Sequence, residues 1–447
     1  NVRGVVRFIG NEIQCVNAGI NVRNGSADVI GNRFTRIGSN TTSFVYVGEM
    51  PARDIVIRQN DFVATNASPI LTRTWDAVAQ GSIDVSDNYL EGATLVRLGS
   101  VPSNIDNLRI DDNRGTFGVS GSALGPVSLT FGTNGVVLNG FSCSRNRGTY
   151  AGTSNFVDFT LGAGAFAQQW TLNNASINDN DVVITHNAAL SPVALSGPAG
   201  TNVSISRNKF IHTAAASNGI IVRSGLVTGL TIDSNHVSCS ATGTGVALSE
   251  AGSVTVNATY TGLRITNNVF HFCVLVFSEG SYDLRFDNAI VSGNTADNIS
   301  SSGRTFNFTN RSGSTAWANS NELLVIGNTF RNFSGVATAF INSNSTGHKI
   351  VFRNNQMEAP IDDQSSTYYQ RPLGNTYTQG TQTWRGATSY RALDGALTAT
   401  AAPTTGTWTR GELVYNSTPT DASGQPAGWI CVTAGTPGTW RAFGVTT

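Results

Sequence analysis

Val203-Ser204-Ile205-Ser206-Arg207-Asn208-Lys209-Phe210 returns as Leu230-Thr231-Ile232-Asp233-Ser234-Asn235-His236-Val237, and again as Leu263-Arg264-Ile265-Thr266-Asn267-Asn268-Val269-Phe270. In each copy apolar residues stand five and three positions before an asparagine and two after it. Alternation of this kind marks a strand with one buried face. Reading outward, the phrase recurs at Asn11, Asn32, Asn60, Asn88, Asn113, Asn146 and Asn180 on one side and at Asn294, Asn328 and Asn355 on the other. Every position five and three before these thirteen asparagines is apolar, from Val6 and Phe8 to Ile350 and Phe352. Two after them, eleven of thirteen are apolar, the exceptions being Gly115 and Gly148.

Successive asparagines lie 21 to 34 residues apart. That is too long for hairpins and too irregular for propeller blades, and it fits one coil of a parallel β-helix with loops of varying length. Asparagine suits a corner, because it tolerates the left-handed region and its amide bonds to backbone; it is therefore expected to take the left-handed conformation here. A second strand follows in most coils, as in Phe44-Val45-Tyr46-Val47, Leu95-Val96-Arg97-Leu98, Phe156-Val157-Asp158-Phe159, Ile220-Ile221-Val222 and Phe306-Asn307-Phe308. Each coil thus has at least two faces. Thirteen coils at the strand spacing make a rod roughly 60 Å long. Ile205, Ile232 and Ile265 should then form one interior column, and the stacked asparagines should bond to one another.

The composition agrees. Among 447 residues, 48 are glycine and 44 asparagine, only 13% are charged, and 28 cations balance 28 anions. This excludes a helical protein of the Ala/Glu/Lys/Leu kind. A nucleic-acid binder needs a basic surplus that is absent. No apolar run is long enough to cross a bilayer as a helix. Five scattered cysteines form no C-x-x-C and suggest neither a disulfide framework nor a zinc site. The five histidines show no ligand spacing and read as surface or core residues. No metal site or cofactor is indicated. The chain opens at Asn1-Val2-Arg3 without methionine or signal peptide, which reads as a fragment of something longer.

The asparagine pattern ends at Asn355. We divide the chain into a β-helix over 1–360, a connecting segment over 361–400 and a small β-module over 401–447 that could cap the solenoid, hold a trimer together or touch glycan. The module carries Gly406-Thr407-Trp408, Gly428-Trp429-Ile430-Cys431 and Gly438-Thr439-Trp440. With the Asn-marked coils, these stretches resemble bacteriophage tailspike proteins of the pectate-lyase-like type. The resemblance implies an all-β, right-handed parallel β-helix of single-stranded solenoid form. It also implies a homotrimer on the virion tail, outside any cell, attached through a missing N-terminal domain. Its target would be bacterial surface polysaccharide (O-antigen, capsule or exopolysaccharide), bound and cleaved, with no insertion into a membrane.

Glycoside hydrolysis needs two carboxyl groups, about 5 Å apart for retention and about 6.5–9.5 Å for inversion. Equivalent positions on neighbouring coils are about 4.8 Å apart, so acids in register are the natural candidates. Glutamate occurs only eight times. Two of the eight share a frame: Val246-Ala247-Leu248-Ser249-Glu250 and Leu275-Val276-Phe277-Ser278-Glu279. We expect Glu250 and Glu279 to be an acid and its partner carboxylate, with Asp283 beside them. Arg223, Asn310 and Arg311 fall near the same row, Asp158 on the same face some coils earlier, and Tyr282 could stack on a sugar ring. Trp75, in Arg73-Thr74-Trp75-Asp76, could form a further subsite. Asp111, Asp112, Asp179 and Asp181 flank corner asparagines and read as turn residues. Three other readings stand: a polysaccharide lyase using arginine or tyrosine, which the excess of arginine over lysine favours slightly, a non-catalytic adhesin, and a purely structural fibre.

Overall fold

The computed structural model describes residues 5–16, 19–22, 25–37, 43–47, 52–64, 69–73, 81–101, 104–120, 125–131, 135–161, 170–185, 191–213, 218–224, 226–250, 258–278, 284–298, 306–309, 322–332, 339–342, 349–357, 361–363, 376–377, 382–384, 387–393, 396–420 and 424–445. These residues wind as a right-handed parallel β-helix. The first face carries the strands that precede the asparagines, from Val5–Ile9 and Gly25–Ile30 to Lys349–Arg353. Among the described residues it holds seventeen strands. Four coils have theirs in two pieces, such as Ala258–Thr261 with Arg264–Thr266, so these strands make thirteen coils.

The interior column is as expected. Ile205 is the register partner of Ile232, and Ile232 of Ile265, all three fully buried. After each asparagine the chain turns onto a second face, as in Asp181–Ile184 and Lys209–His212. It then turns onto a third, as in Val193–Ser196 and Asn218–Ser224. The coil therefore has three faces. His236–Glu250 and Val269–Ser278 run through the second corner without a break, with a register shift between Ser238 and Gly243. Like residues stack along the interior: Phe34 lies on Phe62 with ring centroids 4.8 Å apart, and Phe131 on Trp170 at 4.0 Å. Such offset aromatic contacts add to the burial that holds the coils together.

The corner differs from expectation in one respect. The left-handed residue is not the asparagine but the one before it: Gly10, Gly31, Gln59, Asp87, Asp112, Arg145, Asp179, Arg207, Ser234, Asn267, Gly293, Gly327 and Asn354, all with φ between +52° and +67°. That residue makes the bend and frees the asparagine to point inward. Each ladder asparagine from Asn11 to Asn328 donates its backbone N–H and one Nδ2–H to Oδ1 of the next, as Asn180 does to Asn208 at 3.1 and 2.8 Å. From Asn32 on, the other Nδ2–H reaches back to a carbonyl of the preceding coil, as Asn208 does to Ile177 at 2.7 Å. From Asn32 to Asn355 the ladder is buried. A buried amide is tolerated only when its donors and acceptors are all engaged, and this geometry engages them.

Gly115 and Gly148, the two gaps in the apolar pattern, are register partners, each with positive φ (+123° and +154°). In these two coils the core is filled two residues later, by Phe117 and Tyr150, both buried against Phe156.

Past Asn355 the stack goes on. Gln356–Met357 pairs in parallel with Thr376–Tyr377, and Ile361–Asp363 with Gln382–Trp384. Gln382–Trp384 then pairs antiparallel with Ala387–Leu393. The tail sheet comprises Ala387–Leu393, Ala396–Ala399, Leu413–Asn416, Pro426–Thr433 and Thr439–Val445, all antiparallel neighbours except the parallel pair Ala396–Ala399 and Leu413–Asn416. Trp408 is buried there, edge-on to Trp440 at 4.9 Å.

Candidate functional site

The glutamate row follows from strand register on the third face. Arg223 is the partner of Ser249, and Ser224 of Glu250. On the next coil Leu275, Val276, Phe277 and Ser278 partner Val246, Ala247, Leu248 and Ser249. The frame shared by the two glutamates is thus in register up to the residue before each. Arg223 is exposed on the preceding coil, where the sequence placed it. Glu250 ends its strand, and its side chain lies outside the described residues, as do Glu279, Tyr282, Asp283, Asn310, Arg311 and Trp75.

Asp158 stands apart from this row. It lies on the third face, but three coils earlier, about 14 Å at the strand spacing. Its carboxylate accepts from the Ser154 hydroxyl and the Asn155 amide, both at 3.0 Å, which closes a local turn.

A different acidic row lines the first corner. Asp87, Asp112, Arg145, Asp179 and Arg207 occupy successive left-handed positions, so their side chains leave the rod along one line. Arg145 grips Asp112 with two bonds of 2.7 Å, and Arg207 grips Asp179 with two of 2.8 Å. These guanidinium bonds hold the Asp112 and Asp179 carboxyls below the usual carboxylate range. A folded-state pKa below the unfolded one gives stability that is present above about pH 4 and lost as pH falls further. Between pH 6 and pH 3 we expect this row to lose about 0.5–1 kcal/mol per pair, a small figure because the pairs are partly exposed. Arg145→Gln should flatten that acid limb in thermal melts taken across the pH range.

Beside this row an open groove of about 410 Å³ spans three coils, lined by Gln59, Asn60, Asp61, Asp87, Tyr89, Asp112 and Arg114. Tyr89 projects into it, 44% exposed. An aromatic face between hydrogen-bonding acids and a cation suits a polar ring with an apolar face. Sequence reading missed this groove because its residues lie 25 to 30 apart and come together only through the corner.

The histidines were expected at the surface or in the core, with no ligand spacing among them. His212 is indeed buried. His271, however, lies on the outer side of the second face with Nδ1 2.8 Å from Oδ2 of Asp297, a carboxylate only 11% exposed. His186 and His348 fall outside the described residues.

No protein-family model and no curated protein matches the chain. Among solved structures it is similar to tailspike protein 3 of bacteriophage CBA120, at 11% identity and a TM-score of 0.36, over 99% of this chain and 63% of that one. The chain thus spans less than two thirds of the length of that tailspike.

Proposed function

We propose that this chain binds and depolymerises a bacterial surface polysaccharide, as part of a trimeric phage tailspike on the virion, with Glu250 and Glu279 as the acid and its partner carboxylate. The observation that carries the reading is the register Ser249–Ser278, in which the strand that ends in Glu250 and the strand that ends just before Glu279 lie on consecutive coils. At the strand spacing of about 4.8 Å, two like carboxyls repel, so one keeps its proton and serves as acid beside an ionised partner. That spacing is the one used for retention through a glycosyl-enzyme intermediate. Arg223, one coil before and exposed, offers a fork of donors to the sugar. Asp283, Tyr282, Asn310 and Arg311 complete this end of the row, and Asp158 and Trp75 serve more distant parts of a long substrate.

The test is digestion of purified capsule or lipopolysaccharide. New reducing ends without ultraviolet absorbance are expected, and both Glu250→Gln and Glu279→Gln should slow their release at least about a hundredfold. Full activity in both variants would remove this pair. Products absorbing in the ultraviolet would move the chemistry to a lyase, and cell binding without cleavage would leave an adhesin.

A further inference from the structure

On the outer side of the second face one column passes from Ser238 to His271 to Asp297 on consecutive coils. Ser238 is the register partner of His271, and the pairing of Phe270 with Ala296 brings Asp297 alongside His271 on the next coil. Asp297 is nearly buried, and both its oxygens are engaged. Oδ1 accepts the Phe272 backbone N–H, and Oδ2 faces His271 Nδ1 at 2.8 Å. A carboxylate can only accept, so the proton of the neutral ring sits on Nδ1 and the lone pair on Nε2. Among the described residues Nε2 has no partner, and the His271 side chain is 45% exposed.

The backbone at this point is unusual. Phe272 has φ of +56°, the left-handed region that a bulky residue avoids. The conformation brings its N–H to Asp297 and its ring against the imidazole, centroids 3.9 Å apart. Strain held in place by surrounding bonds gathers at working sites. Phe272 falls where Val269–Ser278 turns the second corner without a break, so the residue that carries the chain round the corner also anchors Asp297.

We propose that Ser238, His271 and Asp297 form a second catalytic centre that hydrolyses carboxylic esters, and that the esters are acyl groups carried on a carbohydrate. The carbohydrate part rests on the polysaccharide reading above; the ester chemistry does not. Ser238 is half-buried, and its hydroxyl has no hydrogen-bond partner among the described residues. It is not bonded to Nε2 here, as is common for a nucleophile and its base before substrate arrives. Attack of Ser238 Oγ on the acyl carbon passes its proton to Nε2 of His271. The carbon–oxygen bond to the sugar then breaks, and the sugar oxygen takes that proton. Water next attacks the acyl-serine, its proton going first to Nε2 and then to Ser238, which releases the carboxylic acid. Asp297 keeps the ring in its working tautomer and stays unprotonated. His236, two residues before Ser238 on the same outer side, can donate to the developing oxyanion; its pKa is lowered by burial and then by His271 and Lys209. The open face suits an ester displayed on a long chain better than a small molecule that needs enclosure.

Hydrolysis of p-nitrophenyl acetate by the whole chain tests the chemistry. Release of nitrophenolate is expected, with kcat/KM falling at least about a hundredfold in Ser238→Ala and in His271→Gln. Asp297→Asn, a positioning variant, should lower kcat with KM unchanged. Phenylmethylsulfonyl fluoride should label Ser238 in the parent and not in His271→Gln. Thermal midpoints of the variants should stay close to the parent's. Absent hydrolysis, or hydrolysis retained in Ser238→Ala, overturns the proposal. Ester cleavage on the nitrophenyl probe without acid release from an O-acylated polysaccharide overturns only the carbohydrate assignment. Ester cleavage without new reducing ends overturns the depolymerase reading and leaves this centre standing.

Discussion

Asn208→Ala is expected to destabilise the rod by about 3–6 kcal/mol, because several buried polar groups lose their partners at once. The Asn208 side chain accepts from Asn180 N–H and Nδ2 and donates to Ile177 O and Asn235 Oδ1, all within 3.1 Å and out of reach of water. Alanine restores none of these. Asn208→Asp should be informative in a different way. It keeps the acceptor but turns an oxygen toward Ile177 O and Asn235 Oδ1, where donors are needed. Its buried carboxyl would face amide groups and carbonyl oxygens, with no cation among these partners to offset desolvation, so its pKa rises on folding. A raised folded-state pKa gives stability that is present below the unfolded value and lost as pH rises, so this variant should recover in acid. That is opposite in sign to the Asp112 and Asp179 pairs. Asn11→Ala supplies the control: Asn11 is exposed at the end of the ladder, and its loss should cost under about 1 kcal/mol. Denaturant midpoints at pH 4 and pH 7 would check all three, and an Asn208→Ala midpoint equal to the parent's would sink the account.

The ladder was legible because burial and alternation leave a periodic trace. Ile205, Ile232 and Ile265 occupy one interior column because nothing polar can, and the asparagines recur because no other side chain both donates twice and accepts twice in that slot. The left-handed residue was not legible. Its backbone conformation is fixed by the coil above and below, and its exposed side chain is free to be Gly, Gln, Asp, Arg, Ser or Asn. The sequence therefore showed a recurring asparagine at the bend and concealed the residue that makes it. Register on the third face was readable from Val246–Leu248 and Leu275–Phe277, which is why the frame of Glu250 and Glu279 could be matched. The pairing of His271 with Asp297 was not, because neither residue belongs to a frame that repeats from coil to coil and the bond accompanies the irregular conformation of Phe272. Asp158 shows how far such a reading goes. Its face was read correctly, while its distance along the axis and its bonds to Ser154 and Asn155 are properties of coil count and local turn.

Gly148→Ala is expected to be among the most damaging single substitutions in the chain, above about 4 kcal/mol, although it adds one methyl group. A Cβ at Gly148 would stand 1.8 Å from Gly115 O and 2.9 Å from Gly115 C. Both atoms belong to backbone, so no side chain can swing aside to make room. The clash repeats down the axis, since a Cβ at Gly115 would meet Leu90 O at 2.0 Å. Relief requires the two coils to separate or the strand to leave its register, and either change lifts Tyr150 and Phe117 from their places against Phe156. Positive φ alone does not account for such a loss. Gly135 has φ of +75° with nothing within 4 Å of its Cβ position, so Gly135→Ala should cost only the backbone preference, about 1–2 kcal/mol. The ratio between the two variants separates steric exclusion from conformational preference. Thermal and denaturant unfolding of both would show it, and equal losses would mean that the close approach of coils at Gly115 and Gly148 is not what excludes a side chain there.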